Sequence, residues 1–203
     1  MDGTLIDTDP MIIESFHQLY DLYKGGNRRK DEEIIYFSGP PIRETLKNEF
    51  PEQDQQFMLD EFHRICYPLY STHIFRFEHS IEVLERLKKD GFKLAIVTNK
   101  MHELSLLALQ KLNLESYFDI IIGFDDVSKG KPDKEGILKA IDLLSSKLES
   151  SIYIGDNESD LLTANNAGID CALVNWGPRH LPHDIKAKFR FNSYLELEEL
   201  LYE

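Results

Sequence analysis

Ser151-Ile152-Tyr153-Ile154-Gly155-Asp156-Asn157-Glu158-Ser159-Asp160 is the stretch on which the fold turns. Its first half is a short run of β-branched and aromatic residues, the composition of a buried strand. Gly155, Asp156, Asn157 and Asp160 then stop the strand and supply the short polar residues that open helices. The periodicity predicts a helix over Ser159–Asn166 that ends at Gly168, a residue suited to a left-handed stop. The next apolar run, Ala172–Val174, completes a strand–helix–strand unit.

Outward from this stretch the same unit recurs. On the N-terminal side, Ile81, Val83, Leu84 and Leu87 mark a helix from Ser80 that stops at Gly91, and Phe92–Val97 is an apolar run ending in Thr98-Asn99. A helix at about Glu103–Leu112 precedes the strand-like Phe118–Ile122, and Pro132-Asp133 open a helix running to about Leu144. On the C-terminal side, Lys188–Phe191 reads as a last short strand and Glu196–Glu203 as a terminal helix. Such alternation predicts an α/β fold with a parallel sheet covered on both faces.

Residues 10–79 read differently. Ile12, Ile13, Phe16, Leu19, Tyr20 and Tyr23 recur at helical spacing between Pro10 and Lys24. Further helical pieces follow at about Arg43–Phe50 and Gln53–Tyr70, with no convincing strand. The chain therefore divides into an α/β core over 1–9 and 80–203 and an inserted helical domain over 10–79.

The net charge of −13 repels nucleic acid and anionic membranes, so neither is expected as a partner. The N-terminus has neither the basic nor the apolar region of a signal peptide, and Cys66 and Cys171 fit no metal or redox spacing, so a cytoplasmic location is expected. Arg28-Arg29-Lys30 after Gly25-Gly26 reads as a solvated turn, Asp125-Asp126 as a solvated loop, and Trp176 as loop packing.

Polar residues gather just past the predicted strands: Thr98 and Asn99, Asp125 and Asp126, then Asp156, Asn157 and Asp160. Ligands of open α/β sheets bind at that edge, where loops and helix N-termini present N–H groups. Four stretches there resemble the motifs of the haloacid dehalogenase-like superfamily. Asp2-Gly3-Thr4 is similar to the latter part of the first motif, Asp-x-Asp-Gly-Thr. Leu94–Val97 ending in Thr98-Asn99 is similar to the second, Lys131-Pro132 to the third, and Gly155-Asp156-Asn157-Glu158-Ser159-Asp160 to the fourth.

The resemblance implies a Rossmann-like doubly wound sheet with an α-helical cap and a magnesium-dependent phosphatase. Phosphate-ester hydrolysis by this route needs an attacking carboxylate, an acid that becomes a base, and positive charge around the phosphoryl oxygens. By resemblance, Asp2 is the acid/base and offers its backbone carbonyl to the metal. Thr98, Asn99 and the following N–H groups bind the phosphoryl group, and Lys131 offsets its charge. Asp156 ligates Mg²⁺, while Asp160 supports the metal site without touching the ion. The same comparison puts the nucleophilic aspartate, with its apolar central strand, ahead of Met1. The expectation is that the natural protein begins several residues earlier and that the chain as given folds poorly.

Gly39-Pro40-Pro41-Ile42-Arg43-Glu44-Thr45 resembles the cap loop of phosphoglycolate phosphatases and their pyrophosphatase relatives, which makes Arg43 the candidate for a second anionic group. The expected substrate is a small phosphorylated metabolite such as 2-phosphoglycolate, with inorganic pyrophosphate next. A β-phosphoglucomutase would carry a cap histidine where this chain has Ile12, and a dehalogenase would lack Asp2. A non-enzyme that binds a phosphate ligand without turnover is the alternative outside catalysis.

Overall fold

A computed structural model describes residues 1–38, 41–177 and 187–202. The chain forms two compact units: Asp2 with Asp7–Phe75, and Met1 with Gly3–Ile6 and Arg76–Glu203. The two-residue strands β1 (Ile6–Asp7) and β2 (Phe75–Arg76) carry the chain from one unit to the other.

The first unit is helical. It contains α1 (Asp9–Tyr23), α2 (Asp31–Ile34), α3 (Ile42–Glu49) and α4 (Gln55–Leu69). Pro10 sits in the first turn of α1, where the N–H it lacks has no intrahelical partner in any case. Asp54 caps α4 by accepting the Phe57 N–H at 2.8 Å. The predicted apolar stripe of α1 is buried, with Phe16, Leu19 and Tyr20 fully inside. Phe16 packs edge-on to Phe37 with ring centroids 4.7 Å apart, and it also meets Tyr20 and Phe62.

One buried charge is folded into this core. Glu49 accepts the Tyr20 hydroxyl at 2.7 Å and the Arg29 Nε–H at 2.7 Å. Burial alone would raise its carboxyl pKa, but these two hydrogen bonds and the cations Arg29 and Lys24 bring it below the usual range. The Arg28-Arg29-Lys30 cluster is thus only partly a solvated turn. Arg29 is the counter-ion of a buried carboxylate, a role that local sequence could not show.

The second unit alternates helices and strands as predicted, with β3, β4 and β7 shorter than their predicted runs and β6 longer. Its elements are α5 (Ser80–Lys89), β3 (Ala95–Val97), α6 (His102–Lys111), β4 (Ile120–Ile122), α7 (Glu135–Leu143), β5 (Ile152–Gly155), α8 (Glu158–Ala167), β6 (Asp170–Val174), β7 (Phe189–Phe191) and α9 (Tyr194–Leu201). Gly168 closes α8 in the left-handed region at φ +78°, where a side chain would be strained. All pairings of these strands are parallel. Ile96 faces Ile121 in β3–β4, Tyr153 faces Cys171 in β5–β6, and Leu173 faces Arg190 in β6–β7.

Among the described residues strands β3 to β7 form two ladders, β3–β4 and β5–β6–β7, rather than one sheet, and β1 pairs with β2. Ile137, Ala164, Ala167, Cys171 and Leu173 build a buried cluster where α7 and α8 cover the strands. Between β3 and β5 lies a cavity of about 820 Å³ whose wall includes Met1, Leu5, Leu84, Leu87, Ile152 and Leu197. The Tyr153 hydroxyl reaches from β5 to the carbonyl of Val97 in β3 at 2.8 Å. Trp176 stacks on Tyr194 at 4.4 Å and donates its indole N–H to the Thr4 carbonyl at 3.0 Å.

Candidate active site

Three segments of the α/β unit meet at the carboxyl ends of β3 and β5. Thr98 follows β3 directly. It is buried, its N–H continues the ladder to Ile122 at 3.0 Å, and its hydroxyl oxygen accepts the Lys100 N–H at 3.2 Å. Asn99 comes next and turns its amide towards the loop ahead of α7. Its Oδ1 accepts the Lys131 N–H at 2.7 Å, and its Nδ2 donates to the Lys131 carbonyl at 3.0 Å.

Lys131 is mostly buried, and its ammonium donates to Asp160 Oδ1 at 2.5 Å. Burial disfavours the charged lysine, but Tyr153 and the Asp160 carboxylate outweigh it, so the ammonium holds its proton more tightly than usual. Burial likewise opposes the Asp160 charge, and the Lys131 ammonium more than compensates, lowering that carboxyl pKa. The result is a fixed, water-shielded cation next to the strand ends.

The turn after β5 explains why Asp160 faces inward. Asn157 is the N-cap of α8, and its side chain accepts the Ser159 N–H at 3.1 Å. Asp160 Oδ2 reaches back to the N–H groups of Asp156 and Asn157 at 3.1 and 3.0 Å, closing a capping box. A Cβ on residue 155 would fall 2.4 Å from the Asp160 side chain, so only glycine allows this approach. Asp160 therefore serves as capping acid and as lysine partner at once, while Asp156 stands outside the cap. The Thr4 hydroxyl donates to Asp156 Oδ1 at 2.8 Å.

Lys131, Asn99 and Asp160 are thus joined by direct bonds, Asp156 is tied to Asp160 through its N–H, and Thr98 is Asn99's neighbour in the chain. Asp2 and Arg43 group with the helical unit, where Asp2 is half-buried and Arg43 donates to Gln56 Oε1 at 3.1 Å. Gly39 and Pro40 of the cap-loop motif lie outside the described residues. Thr4 was missed as a site residue although it stands inside the first motif. Asp125-Asp126 lies in an exposed to half-buried turn but does more than meet solvent. Asp125 accepts the His102 N–H at 2.7 Å, and Asp126 meets His102 Nδ1 at 2.6 Å and the Gly123 N–H at 2.7 Å, holding the start of α6.

A hard divalent cation would find oxygen donors at the Asp156 carboxylate. Asp160 is already bonded to Lys131 and to two backbone N–H groups. Among the described residues no three His, Cys, Asp or Glu side chains gather as a metal cage. That donor set is the kind Mg²⁺ accepts, one or two carboxylates completed by water and phosphate oxygens.

The sequence profile for haloacid dehalogenase-like hydrolases matches residues 1–174. The chain belongs to that family. A pyrophosphatase PpaX of Halalkalibacterium halodurans is 36% identical over 180 residues, covering 88% of this chain and 82% of the relative. The solved structure of a predicted phosphatase from Clostridium acetobutylicum superposes with a TM-score of 0.83 at 25% identity, covering 100% of this chain and 95% of that one. A HAD-superfamily hydrolase of subfamily IA from Geobacter sulfurreducens shares the fold, with a TM-score of 0.78 at 24% identity over 98% of this chain and 92% of that one. No helix among the described residues is long and apolar enough to cross a membrane.

Proposed function

We propose that this hydrolase is a Mg²⁺-dependent phosphatase acting on a small phosphorylated metabolite in the cytoplasm. The observation that carries the reading is the Lys131–Asp160 pair, a shielded ammonium fixed between the ends of β3 and β5 beside Asp156. Phosphoryl transfer depends mainly on positioned charge, and a lysine held in place by Asp160 supplies it without reorganisation. In this reading Thr98 and the N–H groups after it gather phosphoryl oxygens, and Lys131 offsets the charge they carry. Asp156 and the Asp2 carbonyl hold the Mg²⁺, which polarises the phosphoryl group when bound. The attacking carboxylate, the aspartate that the family resemblance places ahead of Met1, takes the phosphoryl group as Asp2 protonates the leaving oxygen. Asp2 then takes a proton from the water that releases phosphate from that carboxylate.

The helical insert, residues 10–79, acts as a cap over a core of 1–9 and 80–203, with Arg43 binding a second anionic group. The sequence favours a phosphomonoester of the 2-phosphoglycolate kind. The PpaX name of the relative at 36% identity supports inorganic pyrophosphate as the second reading.

The test is phosphate release from phosphoglycolate, pyrophosphate, sugar phosphates and p-nitrophenyl phosphate, with Mg²⁺ and with excess chelator. It uses the protein preceded by the aspartate-bearing strand that the family resemblance places ahead of Met1. Mg²⁺-dependent turnover that Lys131→Ala lowers at least about a hundredfold is expected, the scale of losing one preorganised charge contact. Binding of Mg²⁺ and phosphate with no turnover of any substrate would leave the chain a ligand-binding protein.

A further inference from the structure

Among the described residues Lys131 has one charged partner, Asp160, but several anchors. Its own N–H and carbonyl are both bonded to the Asn99 side chain, at 2.7 and 3.0 Å. The carbonyl of the next residue, Pro132, accepts the Asn166 Nδ2–H at 2.8 Å. The Asn99 amide therefore sits on the loop as a neighbouring strand would, one donor and one acceptor matched to one residue's backbone. The preceding residue is shaped for this contact. A Cβ on Gly130 would fall 2.6 Å from Asn99 Oδ1 and 2.7 Å from the Phe124 ring, so any side chain there pushes the amide off.

We infer that Asn99 is a positioning residue for Lys131, its side chain clamping the lysine backbone so that the ammonium stays between β3 and β5. Asn99 then serves the phosphoryl group through Lys131 and not through its own amide. The clamp couples the end of β3, which carries Thr98, to the lysine loop, so the two phosphate-facing groups keep one spacing. An asparagine is suited to the task because it is short and carries both a donor and an acceptor. Aspartate would keep the bond to the Lys131 N–H but set a second carboxylate oxygen against the Lys131 carbonyl oxygen.

This inference rests on the phosphatase reading only for its kinetic arm, so the experiment has two readouts. The first is the rate of acetylation of Lys131 relative to Lys129, Lys134 and Lys139, read by peptide mass spectrometry on the 203-residue chain. Asn99→Asp, Asn99→Ala and Gly130→Ala should each accelerate labelling of Lys131 at least about fivefold, the scale of losing one or two hydrogen bonds, and leave the neighbouring lysines unchanged. The double variant Asn99→Ala/Gly130→Ala should be no faster than Asn99→Ala, because both changes break one clamp. A side chain that merely fills space would tolerate the isosteric Asn99→Asp.

The second readout is kinetic, on the protein used for the phosphatase assay. The expected result is a lower kcat/KM for Asn99→Ala that disappears in the Lys131→Ala background, since the asparagine acts through the lysine. Unchanged Lys131 labelling in folded Asn99→Asp and Gly130→Ala overturns the clamp, and a kinetic loss from Asn99→Ala that persists in full in the Lys131→Ala background makes Asn99 a substrate contact instead. If the wild-type protein turns over no substrate, the phosphatase reading fails while the labelling ratio still decides the clamp.

Discussion

In the helical unit, Phe16, Leu19, Tyr20, Phe50 and Met58 are almost wholly enclosed and their rings meet directly. In the α/β unit the ladders β3–β4 and β5–β6–β7 stand on either side of a cavity of about 820 Å³, and Leu84, Leu87, Ile152 and Leu197 face it. Both units bury apolar residues against one another, the second in the cluster of Ile137, Ala164 and Leu173, but among the described residues only in the second do buried side chains also line a cavity. Protein interiors are ordinarily packed as densely as organic crystals, and side chains that line a void lose the dispersion contacts of one side. The difference teaches where stability and chemistry lie in this molecule. The close-packed unit contributes rigidity, and the loosely packed one carries Lys131, Asp156 and Asp160.

The largest expected effect comes from filling the void. A strand of five apolar β-branched residues fused ahead of Met1 should stabilise the α/β unit by about 5 kcal/mol. Each buried apolar side chain brings about 1.5–3 kcal/mol, against about 1–2 kcal/mol for each ordered backbone residue. Urea unfolding followed by Trp176, the chain's single tryptophan, reports on that unit. An unchanged midpoint would mean that the cavity does not admit a strand.

The next effect sets the two cores side by side. Phe16→Ala should cost about 3–5 kcal/mol because a ring enclosed on all sides leaves a new void. Leu84→Ala should cost about 2 kcal/mol, the low end for such a change, since its surroundings already include empty space. Far-UV circular dichroism and Trp176 fluorescence would follow the two units in urea. Equal costs would erase the proposed distinction.

That distinction was only partly legible in the sequence. Gly91 and Gly168 marked helix ends, and Thr98 and Asp156 were read just past strand ends, because local turn chemistry and spacing decide both. Lys131, by contrast, was singled out by the family resemblance. Long-range partners have no local signal. Nothing near Arg29 points to Glu49, nothing near Thr4 points to Asp156, and the Tyr153–Val97 bond joins residues far apart in the chain. The run Phe92–Val97 also overstated its strand. The Leu94 N–H goes to the Asp119 side chain rather than to a strand partner, so the strand proper begins at Ala95.

Acid should act on the helical unit through Glu49. Its folded pKa lies below its unfolded value, so the stability it contributes is fully present above about pH 4.3 and is lost as pH falls through the lower folded value. Tyr20→Phe removes one of the two hydrogen bonds that lower that pKa and should cost about 1.5–3 kcal/mol at neutral pH, the range for a hydrogen bond to a charged group. The variant's stability should also fall off less steeply with acid. A parallel pH profile for wild type and variant, measured by circular dichroism melts, would show that Tyr20 does not set the Glu49 pKa.

The smallest effects compare one helix cap in each unit. Asp54→Ala deletes the bond to the Phe57 N–H and should cost about 1 kcal/mol, the ordinary value of an N-cap. Asn157→Ala should cost about the same, since only the bond to the Ser159 N–H goes with the side chain. The contacts that turn Asp160 inward are made to the backbone N–H groups of Asp156 and Asn157, and alanine keeps both. Acetylation of Lys131 should therefore stay slow in Asn157→Ala even as the melting temperature drops. A variant that loses little stability yet exposes Lys131 would show that the Asn157 side chain, and not the glycine-permitted approach of Asp160 to the turn, holds the lysine's partner in place. The cap of α8 would then belong to the site in a way that the cap of α4 does not.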